Sequence, residues 1–193
     1  MDLTEGSIKE KEYRAKKMML WFGIISLIMS FAGWTSAIIV SSSRPDWLQD
    51  YQLPKAFIIS TVIIVVSSIT IWLAKRSLKQ SKLQQTTIWL LTTLVLGLFF
   101  IYNQFVGFGQ IIADGFNFTG PTSNITMSFI FLIAFVHILH VVVGLVSLLV
   151  VIYNHFKQKY KPEDMLGLEL ASTFWHFIDI LWVYLFLFLN FFR

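Results

Sequence analysis

Long apolar segments separated by short polar ones set the pattern of this chain. Four stretches contain no Asp, Glu, Lys or Arg: Met18 to Ser43, Ala56 to Ala74, Leu83 to Ala113 and Gly115 to Phe156. About 20 helical residues, each rising 1.5 Å, cross the ~30 Å hydrocarbon layer of a membrane. The fourth stretch begins with a segment rich in Gly, Asn, Thr and Pro, which predicts a loop before its helix.

The pattern therefore predicts an all-α, polytopic membrane protein with five transmembrane helices in a single membrane domain, residues 1–193. The predicted helices cover about 18–40, 56–74, 87–110, 125–153 and 166–192. Only the fifth helix carries acidic or basic residues inside it, Glu169 and Asp179.

The basic residues predict how the chain is oriented. Twelve of the 15 Lys and Arg lie in the N-terminal segment and in the loops after the second and fourth predicted helices. Cytoplasmic loops of membrane proteins are enriched in Lys and Arg. With five spans, the N-terminus and both of these loops fall on one side, so we expect a cytoplasmic N-terminus and an outer C-terminus. The net charge of +4 then reflects topology rather than nucleic-acid binding.

Composition agrees with a membrane protein and narrows its chemistry. Hydrophobic residues make up 56% of the chain and charged residues 13%, whereas soluble domains carry roughly 25% charged residues. The chain has no cysteine, which excludes disulfides, thiolate metal sites and iron–sulfur clusters.

Small and hydroxyl-bearing residues predict which helix faces pack. In the first helix, Ser26, Ser30, Gly33 and Ala37 recur at spacings of four, three and four and form a stripe. In the second helix, small polar residues also lie mostly on one side: Ser60, Thr61, Ser67, Ser68 and Thr70. Small residues let transmembrane helices approach closely, so both stripes are interpreted as contact faces.

Ionisable side chains inside the predicted spans are the candidates for function, because such groups are costly in a bilayer. There are five of them: His137, His140, Glu169, His176 and Asp179. At 100° per residue, the three on the fifth helix share one face, and the two on the fourth helix share another. The short loop between these helices makes them antiparallel neighbours, so we expect all five groups to converge on one helix–helix seam.

Three interpretations of this cluster are open. Two histidines on facing helices could ligate a haem, or the histidines and carboxylates could hold a metal. The groups could instead form a proton relay, or a hydrogen-bond network that joins the two helices. Spacing favours the structural network, since the carboxylates and histidines are spread along the fifth helix rather than gathered at one depth.

The depth of each group gives a specific expectation for Asp179. Counted from the cytoplasmic ends of their helices, Asp179 and His140 both lie about 20 Å into the membrane, and His137 lies one turn further. We therefore predict that Asp179 hydrogen-bonds a histidine of the fourth helix, His140 rather than His137.

Two C-terminal motifs resemble a known family. The segment Glu169 to Asp179 reads ELASTFWHFID and is followed by Trp182. It resembles the last-helix signature of subunit III of haem-copper terminal oxidases. Phe135 to Gly144, FVHILHVVVG, is similar to the penultimate helix of that family. Weaker similarities, at Leu53-Pro54 and at Leu96-Gly97 with Gln104, extend the resemblance over most of the chain from Ala15 to Arg193.

The resemblance implies an accessory subunit of a bacterial inner-membrane cytochrome c oxidase, in a short form with five of the family's seven helices. Haem and copper are then expected in the partner subunits I and II, with no catalytic, cofactor or metal residue in this chain. Subunit I would be the direct partner, and phospholipid a further one. The implied role is to stabilise subunit I and to sustain proton uptake.

Other assignments remain open from the sequence. A quinol oxidase or a nitric-oxide reductase has a similar accessory subunit. From another class, the chain could be a b-type cytochrome with His140 and His176 as haem ligands. Two departures from the family are visible: Leu27 stands where the family usually has an acidic residue, and Gly107 stands where it often has Glu. Both remove an intramembrane carboxylate, which argues against a proton-conducting role.

Overall fold

The computed structural model describes residues 7–48, 51–120, 123–161 and 164–191. Within these ranges the chain folds into five α-helices: α1 (Ile8–Ser41), α2 (Lys55–Lys79), α3 (Leu83–Ala113), α4 (Ile125–Phe156) and α5 (Leu166–Phe191). Each is long and apolar enough to cross a membrane, so the all-α fold with five candidate spans is confirmed. The predicted end of the fifth helix at 192 lies outside the described residues.

The helices extend beyond the apolar segments at several ends, most of all at α1. A capping box starts this helix about three turns before the predicted span: the Glu10 amide donates to Ser7 Oγ (3.3 Å) and the Ser7 amide to Glu10 Oε2 (2.9 Å). These bonds satisfy amide groups that have no partner inside the helix. The first three turns of α1 are therefore a charged extension that precedes the apolar segment.

Helices α2 and α3 form a hairpin closed by Gln80, Ser81 and Lys82, in which Ser81 takes a positive φ of 59°. Buried hydroxyl and amide groups join the two helices within the membrane. Thr70 Oγ1 lies 2.8 Å from Thr93 Oγ1, and Gln104 Nε2 donates to Ser60 Oγ at 2.9 Å. The predicted packing face of the second helix is confirmed, because Ser60, Ser67 and Thr70 are buried.

Three glycines allow large side chains to fill the centre of the bundle. A methyl group built on Gly97 would lie 2.7 Å from Trp175 Cη2, and one on Gly144 would lie 2.8 Å from Ile178 Cδ1. At Gly107 the Phe57 ring comes closest, with Cε1 at 2.4 Å. These distances are shorter than van der Waals contact, so the aromatic core formed by α2 to α5 depends on glycine at these positions.

Helix α1 lies against α4 and α5 and buries one narrow face, Ile24, Phe31, Thr35 and Ile38. The small-residue stripe predicted as a contact face points away from the other helices of this chain. Ser26, Ser30 and Gly33 are exposed, and a methyl group on Gly33 would meet nothing within 4 Å. The bulky buried residues, rather than the small ones, determine how α1 is rotated.

Polar contacts fasten α1 at both ends. At the charged end, Lys9 forms a 2.7 Å ion pair with Asp164, to which the Tyr13 hydroxyl also donates. Beyond the other end, in the segment that follows α1, the Leu48 amide donates to Thr126 Oγ1 at 3.0 Å. Between these ends α1 and α5 leave an open apolar groove.

Candidate functional site

Hydrogen bonds across the α2–α5 contact form the clearest polar arrangement inside the membrane. Trp175 Nε1 donates to Ser67 Oγ (3.1 Å), and Trp182 Nε1 donates to Thr61 Oγ1 (3.0 Å). Next to the first of these bonds, His176 Nδ1 lies 2.6 Å from Ser68 Oγ. We call these three bonds the α2–α5 polar seam. They satisfy two indole N–H groups that are buried and need an acceptor.

Asp179 lies on α5 between the His176 and Trp182 levels of this seam and is 2% exposed. Neither of its carboxyl oxygens has a hydrogen-bond partner within the described parts of the chain. The Ser68 hydroxyl lies near the carboxyl but is bonded to His176 Nδ1, not to Asp179. The predicted hydrogen bond from Asp179 to His140 is therefore wrong, as is the alternative to His137.

Rotation of α5 explains the error. The α4–α5 contact is filled by Trp175 and Ile178, which pack over Gly144 of α4. Asp179 follows Ile178 and is rotated by 100° from it, so its carboxyl turns towards α2. Equal depth in the membrane was predicted from residue counts, but depth does not determine which neighbour a side chain faces.

His137 is enclosed by aromatic rings instead of by polar groups. It is fully buried, with ring centroids 5.0 Å from Trp182, 5.9 Å from Phe100 and 6.4 Å from Phe31. Neither ring nitrogen has a hydrogen-bond partner among the described residues. The imidazole thus joins α1, α3, α4 and α5 through ring packing.

His140 and His176 point towards different helices. His140 Nδ1 lies 2.7 Å from the Val136 carbonyl oxygen of its own helix, and its ring packs edge-on against Phe31 of α1 at 5.7 Å. His176 instead contacts Ser68 of α2. A haem held by two axial histidines needs both imidazoles aimed at one iron, and this arrangement does not supply that geometry.

The end of the bundle that carries Lys9, Lys17 and Lys75 is called the basic end. Glu169 lies near it, one turn into α5. Its carboxylate forms a 3.1 Å ion pair with Lys17 of α1. A cleft of about 220 Å³ opens beside this pair. Its lining residues come from three helices: Lys17, Leu20, Trp21, Lys75, Glu169, Leu170 and Thr173.

The five candidate residues are therefore distributed over several contacts rather than gathered at one. His137 and Asp179 are buried, whereas His140, Glu169 and His176 are partly buried. No hydrogen bond joins any two of the five in the described ranges, and no group of three His, Asp or Glu there could hold a metal ion. The sequence had indicated the missing partners, Thr61, Ser67 and Ser68, only as a packing face.

Comparison with known proteins gives the family. Residues 46–193 match the family of cytochrome c oxidase subunit III. The chain belongs to this family. Subunit 3 of the cytochrome bo(3) ubiquinol oxidase of Pseudomonas aeruginosa is 32% identical over 154 residues, which cover 79% of this chain and 72% of the relative.

Subunit 3 of cytochrome c oxidases is similar to the chain to nearly the same degree. Cytochrome c oxidase subunit 3 of Drosophila yakuba is 30% identical over 180 residues, which cover 85% of this chain. The matched part is 64% of the length of the fly protein. The chain thus spans about two thirds of its curated relatives. The resemblance to subunit III seen in the sequence is confirmed, and both cytochrome c and ubiquinol oxidases occur among the relatives.

Gly107, where the resemblance implies a carboxylate, lies against the ring of Phe57. Phe57 of α2 occupies the space where a side chain at position 107 would begin. Phe57 is 1% exposed and packs edge-on against Phe108 and Trp182, at 6.2 and 5.9 Å. A glutamate at position 107 would require this ring to move. Aromatic packing therefore fills the space beside position 107.

Proposed function

We propose that this chain is the accessory subunit III of a proton-translocating haem-copper oxygen reductase and holds no redox centre of its own. The match to the subunit III family over residues 46–193 carries the proposal. The separation of His140 from His176 supports it, because each imidazole is engaged with a different helix. Haem and copper would be bound by the partner subunits, where electrons reach oxygen.

The proposed enzyme is a cytochrome c oxidase, and a quinol oxidase is the second candidate. The quinol oxidase is favoured by the 32% identity to the Pseudomonas bo(3) ubiquinol oxidase subunit. The intact complex should be purified from membranes through a tag on this chain. Oxygen uptake with reduced cytochrome c, but not with ubiquinol, is the expected result, and the reverse would establish the second candidate. Reduction of nitric oxide without oxygen uptake would contradict both.

The proposed partners are subunit I, in direct contact, and subunit II. An accessory role means that the subunit preserves the complex during turnover rather than carrying electrons. Complex depleted of this chain should start at a normal rate of oxygen reduction and then lose activity faster than the intact complex. A depleted complex with no initial activity would contradict the accessory role.

The proposed location is the bacterial inner membrane, with the chain as one membrane domain and its N-terminus in the cytoplasm. The placement of Lys and Arg supports this orientation. Because the chain has no cysteine, single introduced cysteines can report on which side of the membrane a loop lies. With a membrane-impermeant maleimide on intact spheroplasts, Ser123→Cys should be labelled and Gln80→Cys should not. The opposite labelling pattern would show that the chain has the opposite orientation.

Phospholipid is a further proposed partner, held in the groove between α1 and α5. The groove measures about 430 Å³ and is lined by apolar residues together with the aromatic rings of Phe31, Phe177 and Tyr184. Lys17 of α1 and Lys75 of α2 line the cleft at the basic end of the bundle. Mass spectrometry of the purified complex should detect lipid retained by this chain. Substituting Ala32→Trp should displace it.

A further inference from the structure

The Asp179 carboxyl has surroundings that the accessory role does not explain. It is 2% exposed, and neither of its oxygens has a hydrogen-bond partner in the described part of the chain. An ionised carboxylate without a partner is costly at this depth in a membrane. The side chain thus needs a proton, and the neighbouring groups determine where that proton can come from.

The polar seam brings one hydroxyl next to Asp179. Antiparallel pairing of His176 with Ser68 and of Trp182 with Thr61 places Asp179 opposite Ile64, one turn from Ser68. Side chains on a helix lean towards its N-terminus. Because the two helices are antiparallel, the Ser68 and Asp179 side chains lean towards each other. This pairing accordingly directs the Ser68 hydroxyl towards the Asp179 carboxyl.

The same hydroxyl is bonded to His176, which lies one turn closer to the basic end of α5 than Asp179. His176 Nδ1 lies 2.6 Å from Ser68 Oγ, and the imidazole is only partly buried. One turn closer to the basic end, Thr173 lines the polar cleft together with Lys17, Lys75 and Glu169. Along α5, the His176 imidazole thus lies between the level of this cleft and Asp179, and its partner Ser68 is one turn from the Asp179 level on α2.

We propose that Asp179 exchanges its proton with water at the basic end through His176 and Ser68. A proton from the cleft is taken up by His176, and Nδ1–H then donates to Ser68 Oγ. The Ser68 hydroxyl then turns to hydrogen-bond the Asp179 carboxylate and passes its own proton to it, so that one proton moves inwards and His176 returns to its neutral form. The reverse sequence releases the proton. No oxidant or further reactant is needed.

The path ends at Asp179 and makes it a proton-binding site rather than a channel. Beyond it the seam continues to Trp182, whose indole N–H already donates to Thr61. The charged or titratable groups along the path are His176 on α5, Lys75 on α2, and the Lys17–Glu169 pair between α1 and α5. His137 is closed off by the rings of Phe31, Phe100 and Trp182.

Infrared spectroscopy of the complex tests the proposal. The carbonyl band of a protonated Asp179 is the carboxylic acid band that is lost in Asp179→Asn. The rate at which this band shifts after transfer to D₂O measures the rate of proton exchange. Replacing the hydroxyl in Ser68→Ala should slow the exchange by about tenfold or more, since a bonded relay group is lost. His176→Phe should do the same, whereas Ser68→Thr keeps the hydroxyl and should exchange at the normal rate.

Ser67→Ala is the matched control. It removes the bond from Trp175 to the neighbouring serine of the same seam but leaves the path intact, so exchange should stay at the wild-type rate. Wild-type exchange in Ser68→Ala would overturn the proposal. Equal slowing in Ser67→Ala and Ser68→Ala would also overturn it, because loosening of the seam would then be the cause. A spectrum with no carboxylic acid band that Asp179→Asn removes would show that Asp179 is ionised and would reject the site.

Discussion

Replacing Gly107 by alanine tests the central packing of the bundle. The added methyl group would lie 2.4 Å from Cε1 and 2.8 Å from Cδ1 of Phe57. Phe57 cannot turn aside easily, because it is 1% exposed and is held between Phe108 and Trp182. Overpacking of this kind costs about 1–3 kcal/mol.

Gly109→Ala is the matched control, since it lies two residues further along the same helix and its methyl group would meet nothing within 4 Å. Both variants gain roughly 1 kcal/mol from the higher helix propensity of alanine. That gain cancels in the comparison. The free energy of unfolding of Gly107→Ala should therefore be lower than that of Gly109→Ala by about 1–3 kcal/mol.

Reversible unfolding in mixed micelles would measure this difference. Adding Phe57→Leu to Gly107→Ala should recover part of the loss, because the smaller side chain makes room for the methyl group. The expected coupling between the two substitutions is about 1 kcal/mol or more. Equal stability of Gly107→Ala and Gly109→Ala would refute the packing argument, and so would strictly additive effects in the double variant.

Three further predictions concern the candidate residues. The purified, isolated subunit should show no Soret band, and a band of near-stoichiometric intensity would restore the b-type cytochrome interpretation with His140 and His176 as ligands. A hydrophobic carbodiimide should modify only Glu169 and Asp179 inside the membrane, because α1 has no acid between Met18 and Val40; a labelled peptide from that range, detected by mass spectrometry, would show that the assigned span is wrong. Asp179→Leu should reduce the amount of subunit that co-purifies with the complex more than it slows oxygen uptake, and an unchanged yield with slow uptake would contradict the accessory role.

The sequence was sufficient to predict the helices because charge-free stretches have a direct physical meaning in a bilayer. Their ends were less well predicted. The start of α1 depends on the Ser7–Glu10 capping box, and this signal lies outside the apolar segment from which the span was derived.

The candidate residues were found correctly as rare ionisable groups, but their partners were not. Whether Asp179 faces α4 or α2 depends on how α5 is rotated. The packing of Ile178 and Trp175 over Gly144 sets that rotation. Neither hydropathy nor depth contains this information, since both describe position along the membrane normal. The hydroxyl residues of the second helix offered the only sequence signal for the partner that the structure shows.

The open surroundings of Gly23 and Gly33 have a consequence for mutational scanning. Methyl groups built on either glycine meet nothing within 4 Å, in contrast to those on Gly97, Gly107 and Gly144. Larger residues at positions 23 and 33 should leave the fold of the isolated subunit intact. Selection against them in living cells would therefore report contact with another polypeptide, whereas selection at positions 97, 107 and 144 would report folding. Helix α1 thus offers positions where the requirements of assembly can be measured apart from those of stability.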